Sequence, residues 1–112
     1  MLTAKLNCEA FMMLVAFRSK LTADAGDDYT RMAKAMEALA TSSPGFIEAK
    51  DFVAADGERL TLVWWKNAET LQAWAADPRH RLAQAKGRES WYEYYNMDVA
   101  EITRVSQFTR PA

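Results

Sequence analysis

Residues 46–65 read FIEAKDFVAADGERLTLVWW, and this stretch decides the fold. It divides into an apolar-rich run over residues 46–54, the dipeptide Asp56-Gly57, and a second run from Arg59 to Trp65. Asp-Gly between two such runs predicts a hairpin turn, because glycine takes up the positive φ that a tight turn demands. The two runs are therefore strands, β2 (residues 46–54) and β3 (Arg59–Trp65). Along β3, Leu60, Leu62 and Trp64 point one way, and Thr61, Val63 and Trp65 the other. Both rows are substantially apolar. A sheet with one face in water alternates apolar and polar residues, so this sheet is expected to be covered on both faces.

Working outward, residues 11–20 are short, apolar and then polar, which predicts strand β1. Asp24, Asp27 and Asp28 place negative charge where a helix dipole favours it. Tyr29, Met32, Ala33, Met36, Leu39 and Ala40 follow at helical spacing, giving an amphipathic helix α1 that ends at Ser42-Ser43-Pro44-Gly45. Past the hairpin, Asn67 is a good N-cap, with Glu69 in the first turn, so a short helix α2 runs to about residue 76. Asp77-Pro78 restarts a helix, α3, with Gly87 near its end. Residues 92–108 read as a long strand, β4. Strand, helix, strand, strand, helix, strand is the split βαβ, ferredoxin-like arrangement: an α+β fold with helices on one face of a four-stranded antiparallel sheet. A second copy of the chain is the simplest cover for the other face, so a homodimer is expected, and the excess length of β4 could reach across to the partner.

The 112 residues predict one domain, with its core over about residues 11–106 and the first ten residues and the C-terminal tail peripheral. Half the residues are apolar and the net charge is −1. There is no basic tract to suggest nucleic acid, and the longest apolar run, residues 10–17, is too short to span a membrane. Lys5 and that run are not expected to form a signal peptide, since no Ala-x-Ala site follows and Arg18 and Lys20 do. Cys8, the sole cysteine, cannot form an internal disulfide and has no cation nearer than Lys5 to activate it. A cytoplasmic location is expected. A single histidine and no cysteine pair argue against a protein-built transition-metal site. No glycine-rich phosphate loop or axial-ligand pattern occurs, so no flavin or haem is expected.

The richest chemistry lies in the last third. His80, Ala83, Gln84, Gly87 and Trp91 share one helical face, whose middle is small. A small-residue face lets a helix approach the sheet and turns His80 inward, among indoles and phenols, as in a binding pocket. The candidate pocket lies between helices and sheet and draws on Phe17, Trp65, Trp74, His80, Arg88, Trp91 and Tyr95. His80 at a helix N-terminus would be the neutral imidazole that a general base must be, or else a packing residue bonded to a carbonyl. The tryptophans would stack on an aromatic ligand or belong to the core. Arg88 would orient an anionic group, or bond the helix end or a carboxylate such as Glu93 or Glu101.

These pieces together resemble the antibiotic-biosynthesis-monooxygenase-like superfamily of dimeric α+β barrels. The matching residues are Phe17-x-Ser19, Tyr29-x-x-Met32-Ala33-x-x-Met36, Pro44-Gly45-Phe46, Trp65, Trp74, His80-x-x-Ala83-Gln84-x-x-Gly87-Arg88, Trp91-Tyr92-x-x-Tyr95 and Val99-Ala100. The resemblance implies a ferredoxin-like protomer, a face-to-face homodimer and, in some members, oxygen chemistry without flavin, haem or metal. It also implies a test for haem degradation, which uses an Asn on β1, a Trp late in α2 and a His about ten residues after that Trp. Trp74 fits, but position 84 is Gln, β1 offers Phe17 and Arg18, and Asn7 lies too early. Haem degradation is not expected. What remains is a cofactor-independent monooxygenase of a small electron-rich aromatic such as a phenol or quinol, using O2; a ligand-binding or stress-related module without chemistry; or a dimer whose pocket is filled by its own side chains.

Overall fold

The computed structural model describes residues 11–112, so Lys5, Asn7 and Cys8 lie outside the described residues. The elements are β1 (Met13–Leu21), α1 (Asp27–Thr41), β2 (Phe46–Val53), β3 (Arg59–Trp65), α2 (Ala68–Ala75), α3 (Pro78–Lys86), a single π-helical turn (Gly87–Trp91) and β4 (Tyr92–Glu101). The strands form one antiparallel sheet in the order β2-β3-β1-β4. This is the expected split βαβ arrangement.

Local chemistry accounts for the boundaries. Gly57, at φ +92°, closes the hairpin, with its N–H donating to the Ala54 carbonyl at 2.9 Å. The Asn67 side chain accepts from the Thr70 N–H at 2.9 Å and starts α2. Asp77 accepts from the Arg79 N–H at 2.8 Å, and Pro78 occupies the first turn of α3. Asp27 and Asp28 sit in the first turn of α1.

Cross-strand partners share a face of the sheet. Met13, Val15, Phe17 and Ser19 lie beside Trp65, Val63, Thr61 and Arg59 on the helix side. The core is there: Met13, Val15 and Trp65, packed by Phe46, Val63, Ala68, Leu71 and Trp74. Leu14 and Ala16 lie beside Trp64 and Leu62 on the opposite face, with Leu60 and Phe52 paired across β3 and β2. That face is apolar at Leu14, Ala16, Leu60, Leu62 and Trp64, with exposed Arg18 beside Leu60 farther along β1 and Glu48, Lys50, Asn96 and Asp98 toward the edges. On α1, Tyr29, Met32, Met36, Leu39 and Ala40 are half-buried as their spacing requires, while Ala33 is exposed.

One expectation is corrected. Strand β4 ends at Glu101, not at residue 108. Its partner β1 runs out at the Met13–Glu101 pair, and one further bond, from the Ile102 N–H to the Met12 carbonyl at 2.8 Å, completes the ladder. Among the described residues no further strand takes up the N–H and C=O groups, and the chain leaves the sheet with Val105 and Phe108 exposed. Helix α3 ends at Lys86 with Gly87 as its C-cap, as expected, and the segment from Gly87 to Trp91 widens into the π-helical turn. No helix among the described residues is long and apolar enough to cross a membrane.

Candidate active site

The single histidine stands in a column of rings. Trp65, only 1% exposed, sits at the end of β3 with Phe46 edge-on at 5.8 Å between ring centres. Trp74 of α2 stacks on Trp65 at 6.0 Å, and His80 of α3 stacks on Trp74 at 4.2 Å and 21° between planes. The break between α2 and α3 makes this possible: the Asp77 cap reverses the chain just enough to lay His80 back over Trp74. His80 Nδ1 is buried and has no hydrogen-bond partner. Burial holds the imidazole below its ordinary pKa, with the Trp74 backbone and the Asp77 carboxylate acting in the opposite sense. The ring is therefore neutral at pH 7, with one nitrogen able to accept a proton.

A second aromatic group forms at the other end of the sheet. Phe17 of β1 meets Tyr92 edge-on at 5.7 Å and Tyr95 at 5.3 Å. Tyr29 of α1 packs edge-on against Trp91 and Tyr92. Arg88 Nη1 donates to the Tyr95 hydroxyl at 3.1 Å. Trp91 is buried, and its Nε1–H donates to Asp28 Oδ2 at 3.1 Å. That bond holds the Asp28 carboxyl below its ordinary pKa. Burial pushes the Tyr92 phenol well above the normal range, so it is protonated at neutral pH.

The seven residues singled out in the sequence thus fall into two groups rather than one. Trp65, Trp74 and His80 are together; Phe17, Arg88, Trp91 and Tyr95 are together. The face of His80, Ala83, Gln84, Gly87 and Trp91 does turn inward: Ala83, Gly87 and Trp91 are buried, and His80 and Gln84 half-buried. Arg88 takes the Tyr95 phenol as its partner rather than Glu93 or Glu101. Sequence reasoning missed Tyr92 as a member of the second group, since strict alternation puts Tyr92 and Tyr95 on opposite faces. The pairing moves from Lys20–Tyr94 to Leu21–Tyr92, so Glu93 is an extra residue on β4 and a bulge brings both phenols to the helix side. Nothing in the residue types of that segment marks the bulge.

A cavity of about 330 Å³ adjoins the first group and is lined by Ser43, Pro44, Glu69, Thr70, Trp74 and Asp77, among others. A second, of about 520 Å³, runs between α1 and α3 with Trp91 in its wall. His80 lines neither.

No family model matches the chain. The chain is 34% identical over 80 residues to the uncharacterised protein YqjZ of Bacillus subtilis, a match covering 71% of this chain and 70% of that one. It is 29% identical over 94 residues to a jasmonate monooxygenase of Pyricularia oryzae, covering 82% of this chain but 44% of the relative. Among solved structures, the cofactor-independent oxygenase SnoaB of Streptomyces nogalater superposes with a TM-score of 0.67 at 12% identity, over 92% of this chain and all of SnoaB. That likeness is one of fold. With the sequence relationship to a monooxygenase beside it, the chain belongs to the antibiotic-biosynthesis-monooxygenase-like superfamily.

Proposed function

We propose that the protein is a cofactor-independent monooxygenase of a small electron-rich aromatic, a phenol or quinol. The observation that carries this reading is His80: a half-buried, neutral imidazole stacked on an indole. Relatives that include a monooxygenase support the reaction class. In the proposed reaction the outer nitrogen of His80, Nε2, takes the phenolic proton while the buried Nδ1 faces the protein, and the electron-rich phenolate reduces O2 directly. The ring C–H opposite the hydroxyl becomes a carbonyl, one oxygen atom entering the ring and the other leaving as water, with the substrate supplying all the electrons. The chain's part is to bind, desolvate and deprotonate. Trp74, with its faces taken by Trp65 and His80, offers the adjoining cavity an apolar edge rather than a stacking face. Arg88, Phe17 and Trp91 belong to the second aromatic group at the other end of the sheet and take no part in this step.

A second reading, a ligand-binding module without chemistry, draws on the same column, because Trp74 already stacks on both Trp65 and His80. Oxygen uptake separates the two. With a phenol that carries hydrogen opposite its hydroxyl, such as 1-naphthol, the monooxygenase reading requires oxygen consumption with quinone formation, and His80→Ala should lower turnover about a hundredfold or more with the melting temperature little changed. Stabilisation by the aromatic without oxygen uptake supports the binding module. A His80→Ala variant that mainly loses stability makes His80 a packing residue.

The partner reading belongs here as well. A second copy of the chain is proposed to cover the sheet face that carries Leu14, Ala16, Leu60, Leu62 and Trp64. The apolar centre and polar margin of that face support it.

A further inference from the structure

We propose that the groove between α1 and α3 is a second ligand site, for a small amphipathic carboxylate. Asp28, Arg31, Met32 and Ala35 recur at i, i+3, i+4 and i+7 and so form one face of α1. Leu82 and Lys86, one turn apart on α3, face them, and the Trp91 ring closes the inner end. The groove is a shallow trough open to solvent, of about 520 Å³.

The groove selects on two grounds. Its floor is apolar: Met32, Ala35, Leu82 and the Trp91 ring. Leu82 is 68% exposed, an apolar side chain that nothing among the described residues covers. A hydrocarbon chain or ring laid there would remove it from water. The rim is cationic. Arg31 and Lys86 are both exposed, and among the described residues neither makes an ion pair. The one carboxylate in the wall, Asp28, is engaged: Oδ1 accepts from the Tyr29 N–H at 2.9 Å and Oδ2 from Trp91 Nε1–H at 3.1 Å. Two cations therefore stand against one carboxylate fixed in place, and the balance favours an anion. An apolar body with a single anionic head meets both requirements. His80 does not line the groove, so this site is independent of the proposed oxygenase chemistry.

Calorimetric titration of the full chain with octanoate, and with octanol as the uncharged partner of the same length, tests the proposal. Octanoate should bind saturably and shift the Trp91 indole N–H resonance in NMR, while octanol binds about tenfold or more weakly. The double variant Arg31→Gln/Lys86→Gln should lose about tenfold in octanoate affinity. Both positions are exposed, so the fold should persist. His80→Ala should bind octanoate as the unaltered chain does. Absence of saturable binding, equal affinity for octanol and octanoate, or an unchanged affinity in a folded double variant would overturn the proposal. The comparison of the two ligands needs no variant at all.

Discussion

At the scale of the residue, His80 is where folding and chemistry meet. Its ring gives up water to stack on Trp74, and desolvation favours the neutral form. The consequence for stability follows from linkage. The unfolded chain titrates this histidine near pH 6.5, and the folded chain only at a lower pH. Between those two values the unfolded state binds the extra proton, so stability falls as the pH drops through that window. The melting temperature should decline from pH 7 to pH 5, and His80→Gln should flatten that part of the profile. A His80→Gln profile parallel to that of the unaltered protein would place the pH dependence on other groups. Tyr94 differs from its neighbours Tyr92 and Tyr95: it points away from the helices and donates to Glu58 Oε2 at 2.7 Å, which takes it out of the candidate site.

At the scale of the element, the two turn glycines make unequal demands. Gly45 has φ +83°, and a Cβ there would overlap the Thr70 side chain of α2. Gly57 has φ +92° with open space around it. Gly45→Ala should therefore cost about 1–3 kcal/mol, combining backbone strain with displacement of Thr70, and Gly57→Ala about 1 kcal/mol from strain alone. Urea unfolding of the two variants checks the order; equal midpoints would show that α2 yields freely at Thr70. The π-helical turn before β4 has a comparable local logic. It sets buried Trp91 against Tyr29 and Asp28 and delivers Tyr92 to the strand, where the Glu93 bulge completes the aromatic group.

At the scale of the whole molecule, the helices cover one side of the sheet only. The uncovered centre carries Leu14, Ala16, Leu60, Leu62 and Trp64, with Phe52 half exposed near the edge. Light scattering at micromolar concentration should give twice the mass of the chain. Leu62→Lys, which sets an unpaired charge at the middle of that face, should yield monomer. A monomeric mass for the unaltered protein would remove the partner from the account. The seven-residue candidate site also takes its form at this scale. Trp65, Trp74 and His80 come together because the end of β3, the end of α2 and the start of α3 converge. Phe17, Arg88, Trp91 and Tyr95 meet at the opposite end of β1.

Periodicity and caps, which act over a few residues, made the elements legible in the sequence. The Asp56-Gly57 turn, the Asn67 and Asp77 caps and the spacing of Tyr29, Met32, Met36 and Leu39 determine strands and helices by themselves. The order of those elements leads to the split βαβ sheet. The inward turn of His80 was equally readable, since a helical face is a matter of counting. Three features belong to the tertiary structure alone. Strand β4 stops at Glu101, where its pairing with β1 ends at Met13, a limit set by a segment distant in the sequence. Tyr92 joins Tyr95 on one face because the ladder absorbs Glu93 as a bulge, which residue types do not encode. The division of the site residues into two groups depends on which ends of the strands each helix reaches, and that is decided by packing across the whole sheet.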